Sequence, residues 1–213
     1  MLPFGNGLNA PPSNEDIASV VTGVLEKPGL HINKNYRPTG PKLISGHDVA
    51  QVFGSILDRD VSYQDVPTWM FIKAAKALRF SNFEIAQVRH YAEELRGGTY
   101  AVGAPTDHVE LVTGSPPEDF KITAERYINN PDLIFPGFKI GNKFSAAWLM
   151  LRTMLTPTPE LDGWESERGY PLLKDPVLAH DSKEWLVTAK QNRLALLDTD
   201  SSSAWVNKSK IAV

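Results

Sequence analysis

The stretch Met1–Val21, MLPFGNGLNAPPSNEDIASVV, decides how the rest of the chain is read. Gly5, Gly7 and Ala10 match the spacing G-x-G-x-x-G/A of dinucleotide-binding loops. That loop works when a buried strand leads into the first glycine and a helix opens at its end, so that helix-terminal N–H groups face a pyrophosphate. Here Met1 to Phe4, Pro3 among them, precede Gly5, and Pro11-Pro12 stands where the helix would begin with its N–H groups intact. Glu26 lies about 20 residues on, the spacing of a ribose-binding acid, but at the charged end of a helical run where no strand end is readable. The stretch therefore reads as a glycine turn before a Ser13-capped helix, and no cofactor-binding residue is assigned.

Composition narrows the classes. The 213 residues, 42% hydrophobic and 22% charged, suffice for a buried core. With 22 basic and 25 acidic residues, and no block of Lys/Arg, a counterion-releasing nucleic-acid surface is not expected. The absence of cysteine removes disulfides, thiolate metal sites and cysteine nucleophiles. The longest apolar run, around AAWLML, is far shorter than a membrane span, and no leader pattern opens the chain. A cytoplasmic protein without membrane contact is the expectation.

Helix starts are legible because Ser is repeatedly followed by an acid three residues on, the capping-box pattern. Ser13 with Asp16, Ser45 with Asp48, Ser81 with Glu84 and Ser115 with Glu118 all show it. Ile17, Ala18, Val20, Val21, Val24 and Leu25 then recur at helical spacing, as do Val49, Val52, Phe53, Ile56 and Leu57. NYRPTGP and VSYQDV read as short extended segments. Pro67 suits a helix start before TWMFIKAAKALRF, and FEIAQVRHYAEEL ends at Gly97-Gly98. A short helix over Asp107–Thr113 stops at Gly114, and another runs from Pro116 to about Ile128. Beyond Asn129 come PGFKIGNKF, a helix over SAAWLMLRTML, a TPTPELDGW linker and an amphipathic turn at KEWLVTAKQNRLALL. This predicts a lobe over residues 1–129, a helical extension over 130–197 and a disordered tail over 198–213. Two or three short strands beside many helices make a helix-rich α/β piece that cannot form a parallel sheet of ordinary size by itself.

The run YRPTGPKLISGHDVAQVFGSILDRDVSYQDVP, followed by FIKAAKALRFSNFEIAQVRHYAEELRGGTYAVGAPTDHVELVTGSPPEDF, resembles the C-terminal part of NmrA-like, atypical short-chain dehydrogenase/reductases. Tyr36–Pro41 (YRPTGP) and Thr106–Pro117 (TDHVELVTGSPP) carry it most specifically, and the likeness extends from about Leu2 to Tyr127 and more weakly through the extension to about Trp185. The resemblance implies a Rossmann-type protein that uses NAD or NADP, of which this chain is the substrate lobe. The dinucleotide-binding half and its phosphate-binding loop are expected to lie outside these residues, supplied by a longer reading frame or a partner chain. It also implies that the helices after Pro67 face a small-molecule substrate.

Candidate chemistry is sparse. Tyr170 and Lys174 match the Tyr-x-x-x-Lys spacing of typical short-chain dehydrogenases, but Pro171 between them opposes the helix that would align the two groups. Asp107, His108 and Glu110 lack the spacing of a zinc site, and His90 and Glu94 read as an i,i+4 helix pair, so no metal site is assigned. No G-x-S-x-G occurs. What remains is an aromatic wall: Trp69, Phe71, Phe80, Phe83 and Tyr91, with Arg89 and His90 as polar handles. Phe71 and Phe83 are assigned to the core, whereas Trp69, His90 and Tyr91 fit a substrate pocket or a core equally. Asn6 and Asn9 in the opening turn are placed toward the same cleft. Two functions follow: the substrate side of an NAD(P)-dependent oxidoreductase acting on a small carbonyl or quinone-like compound, and a non-catalytic NAD(P)-sensing or partner-binding regulator of the same family.

Overall fold

Three of the four capping boxes form as the sequence predicts. In the computed structural model, which describes residues 2–130, 143–170 and 181–192, Ser13 opens α1 (Asn14–Glu26), Ser45 opens α2 (Gly46–Leu57) and Ser81 opens α4 (Asn82–Arg96). In each, the serine hydroxyl accepts the N–H three residues on, at 3.0, 3.2 and 3.3 Å, while the acid there accepts the serine N–H. Two orphan donors per helix are thereby satisfied. Helix α3 (Thr68–Ala77) begins one residue after Pro67, and α4 ends at Gly97 before the left-handed Gly98.

The fourth box does not form. Helix α5 (His108–Thr113) stops at left-handed Gly114, and α6 (Phe120–Ile128) starts four residues later than Pro116, capped by Asp119. Pro116-Pro117 is the reason: a residue before proline is pushed out of the helical region, so neither Ser115 nor Pro116 enters a helix. Glu118 accepts instead from the Thr123 hydroxyl at 2.9 Å, and its N–H donates to Asp16 Oδ2 at 3.0 Å.

The expected strands reduce to two isolated bridges among the described residues: Leu2 with Asp65, parallel, and Asn9 with Ile44, antiparallel. NYRPTGP and VSYQDV form no ladder, although Gly40 N–H donates to Ala10 O at 2.9 Å and Asp65 takes part in the bridge to Leu2. The opening segment is nonetheless pinned at both ends. Leu2 N–H donates to Gln64 O at 3.2 Å and Ile44 N–H to Asn9 O at 2.7 Å. Arg96, at the end of α4, ties these parts together by donating to Pro3 O at 2.7 Å and to both oxygens of Asp65 at 2.8 and 3.1 Å.

Helix α7 (Lys143–Leu155) packs on α3, and the supposed linker TPTPELDGW contains a helix, α8 (Leu161–Ser166). Leu161 of α8 completes a core cluster with Ile72 and Ala75 of α3 and Ile85 of α4, against which Phe71 packs. Helix α9 (Lys183–Gln191) forms within the predicted amphipathic turn. Lys174, the stretch over 131–142 and the whole of the tail over 198–213 lie outside the described residues.

Candidate functional site

The opening glycines pack into a turn against α4 and Asp65. Gly5 adopts φ +56°, and its N–H donates to Asp65 Oδ1 at 2.9 Å. Gly7 N–H donates to Phe4 O at 3.1 Å. A Cβ at Gly7 would stand 2.4 Å from Leu95 O and 2.6 Å from Leu95 Cγ, so glycine is required by the close approach of α4. Both glycine N–H groups are thus bonded within the protein, that of Gly5 to a carboxylate.

The same turn delivers two side chains to α4. Asn9 Nδ2 donates to the Tyr91 hydroxyl at 3.1 Å, and the Phe4 ring meets Tyr91 edge-on with centroids 5.5 Å apart. Tyr91 in turn lies 4.9 Å from the ring of Tyr100. Tyr100 sits on a single tight turn, Thr99–Ala101, held by Arg37, which donates to Val102 O and, at 2.9 Å, to Tyr100 O. The Tyr100 hydroxyl donates to Glu94 at 2.7 Å. Burial, together with this bond to a carboxylate, pushes the Tyr100 phenol well above its usual pKa, so it stays a donor across the neutral range.

These groups line a cavity of about 620 Å³ between α4, the Tyr100 turn and α8, whose wall includes Phe83, His90, Tyr91, Glu94, Tyr100 and Glu165. Tyr170 lines it too, its ring 5.9 Å from that of Trp164. Glu165 is fully buried, at 0% exposure. Its Oε2 accepts from Arg89 Nη2 at 2.5 Å, and Arg89 Nη1 donates to Asp162 at 2.6 Å. The other oxygen, Oε1, has His90 Nε2 at 3.2 Å but no aligned hydrogen bond. A buried carboxylate oxygen without a donor is costly unless something else supplies one.

The sequence-predicted residues thus separate. His90 and Tyr91 come together in the cavity wall, with Asn9 behind Tyr91. Trp69 is 56% exposed on α3 and does not line the cavity; Asn6 is exposed at the turn and does not line it either. Phe83, assigned to the core, is 49% exposed at the cavity mouth, whereas Phe71 packs on the core as expected. His90 and Glu94 do not pair: one turns to Glu165, the other to Tyr100. His108 accepts the Arg37 N–H at 2.8 Å and so serves the loop that presents Tyr100. Glu165 was missed because prolines and Gly163 made its stretch read as a linker. Pro159 followed by acids at 160 and 162 was the available helix-start signal.

No protein-family model matches the chain. An NAD(P)H azoreductase of Xenophilus azovorans is 30% identical to it over 119 residues, which are 56% of this chain and 41% of the azoreductase. The chain thus spans less than half the length of the curated relative it matches. Among solved structures, the NADP(H) complex of Citrobacter sp. triphenylmethane reductase superposes with a TM-score of 0.53 at 17% identity, over 59% of this chain and 43% of the reductase. An NADPH-dependent quinone oxidoreductase of Escherichia coli superposes with a TM-score of 0.50 at 15% identity, over 61% of this chain and 46% of the other. The fold is that of part of these NAD(P)-dependent reductases.

Proposed function

We propose that this chain is the substrate-side lobe of an NmrA-like NAD(P)H-dependent reductase, with the α4 cavity as the substrate site. The observation that carries the reading is the placement of Tyr91. Its hydroxyl accepts from Asn9 at 3.1 Å, so its own proton is left to donate, and its ring forms part of an aromatic wall. A hydrogen-bond donor set in an apolar wall suits the oxygen of a small carbonyl or quinone-like compound, whose developing negative charge it would stabilise as hydride arrives from a nicotinamide. The similarity to an NAD(P)H azoreductase and the reductase fold support the cofactor and the reaction type.

In this reading the dinucleotide is held by residues other than those described here, and the opening glycines pack against α4. NADH and NADPH oxidation with a panel of quinones and aldehydes, by this chain supplied with a dinucleotide-binding Rossmann half in the same chain or as a partner, tests the proposal. Turnover is expected, with Tyr91→Phe lowering kcat/KM about tenfold or more, the effect of removing one transition-state donor. Tight dinucleotide binding without turnover of any compound would favour the regulatory role instead.

A further inference from the structure

Tyr36–Pro41 and Thr106–Pro117, the two stretches that carry the family resemblance most specifically, are bound to each other. The Thr106 N–H donates to Thr39 Oγ1 at 2.8 Å, and the Thr106 hydroxyl to Arg37 O at 2.6 Å. The third link is of a different kind, because the Arg37 N–H donates to His108 Nδ1 at 2.8 Å. We propose that His108 is a proton-operated catch, which holds Arg37 while its ring is neutral and releases it when the ring is protonated, loosening the turn that carries Tyr100. The catch belongs to these two stretches and does not depend on what the α4 cavity binds.

A backbone N–H can only donate, so this bond exists only while Nδ1 carries no proton. Imidazoles take up a proton between about pH 5 and 8, and an imidazolium is a donor at both nitrogens, so no turn of the ring restores the bond. His31 shows the contrast. Its Nδ1 lies 2.6 Å from the Tyr36 hydroxyl, which can donate to a neutral ring or accept from a charged one. The His108 ring is only partly buried, so solvent protons reach it.

The ionisable groups of the opposing segment are Tyr36, edge-on to His108 at 5.7 Å with His31 on its far side, and Arg37. Lys34 there is exposed. Asp107 and Glu110 belong to the start of α5 itself. On α1, which packs on α5, Glu15 is engaged by Arg126 and Asp16 by Ser13 and the Glu118 N–H, while Glu26 and Lys27 are exposed at its end. Whichever way these charges balance, the bond itself needs a bare Nδ1. Release is passed on through Arg37, whose guanidinium donates to Tyr100 O at 2.9 Å and to Val102 O. The Thr39–Thr106 contact contains no titrating group and keeps the two stretches together, so the change stays local.

The test follows the full chain by NMR from pH 8 to pH 5.5, reading the His108 ring, the Arg37 amide and the amides of Ala101 and Gly103, which adjoin the two carbonyls that Arg37 holds. The Arg37, Ala101 and Gly103 signals are expected to move with the same midpoint as the His108 ring. The exchange protection of the Arg37 amide should fall about tenfold or more over that range. In His108→Asn, Oδ1 can accept the same N–H and does not titrate, so the Arg37 amide should stay protected and its shift flat. His108→Phe, with no acceptor, should leave that amide unprotected at both ends of the range, and His31→Phe should leave the His108 response in place. The titration of the unaltered chain is complete in itself, so a variant that fails to fold does not remove the test. A His108 ring that stays neutral down to pH 5.5, or one that takes up its proton while the Arg37 amide stays protected, would overturn the catch. So would the same pH response in His108→Asn. Unmoved Ala101 and Gly103 signals would overturn its link to the Tyr100 turn.

Discussion

Gly7 and Glu165 are the two residues on which the reading turns, and each has a test of its own. Substituting Gly7 by alanine forces a Cβ to within 2.4 Å of the Leu95 carbonyl, so the turn or α4 must shift. A loss of about 1–3 kcal/mol is expected, read as a lower urea midpoint. If Gly7 served a phosphate instead, the folded protein would lose ligand affinity and keep its stability. Arg89 offers the complementary experiment, because Glu165 has 0% exposure and Arg89 holds it at 2.5 Å. Arg89→Met leaves a buried carboxylate without its guanidinium and should cost about 3 kcal/mol or more, while adding Glu165→Leu should recover most of that loss. Equal destabilisation by the single and double changes would show that Arg89 acts through packing alone.

The elements show how far local chemistry reaches. Ser13, Ser45 and Ser81 were readable as caps because a capping box needs only four consecutive residues, and all three formed. Ser115 carries the same pattern yet caps nothing, since two prolines displace the helix to Asp119. Ser13→Ala should therefore destabilise by about 1 kcal/mol, and Ser115→Ala by less than about 0.5 kcal/mol, in the same urea titration. The caps also set a pH dependence. Hydrogen bonds from the Ser45 hydroxyl and N–H hold the Asp48 carboxyl below its usual pKa, and the Ser81 N–H and hydroxyl do so for Glu84. A depressed carboxylate pKa stabilises the fold above the unfolded value and is lost as pH falls through the folded one. The urea midpoint should thus be flat near neutrality and fall below about pH 4, with less fall in Ser45→Ala. By contrast, the cavity was only half legible. His90 and Tyr91 share one helix and could be paired by spacing, but Tyr100, Glu165 and Tyr170 reach them through tertiary packing, which no local pattern encodes. Trp69 and Asn6 lie outside this cavity, since aromatic or polar character marks a surface residue as readily as a cavity residue.

At the scale of the molecule, the described residues leave apolar surface uncovered. Ile17, Val21 and Leu25, four residues apart on α1, are 42%, 53% and 72% exposed. Such a stripe on one helix face is the kind of patch that drives self-association. The isolated chain should sediment with a concentration-dependent mass, and Val21→Glu should shift it toward monomer. A monomer at all concentrations would show that the stripe needs no cover. The fold matches part of the NAD(P)-dependent reductases over 59% of this chain and 43% of the triphenylmethane reductase, and the opening glycines contact α4 and Asp65. The central claim, that this chain supplies the substrate side and not the dinucleotide cradle, is tested most directly by titrating it with NADPH while following the fluorescence of its five tryptophans. No saturable change below about millimolar NADPH is predicted, because the turn's N–H groups are already bonded. Saturation in the micromolar range would contradict the claim.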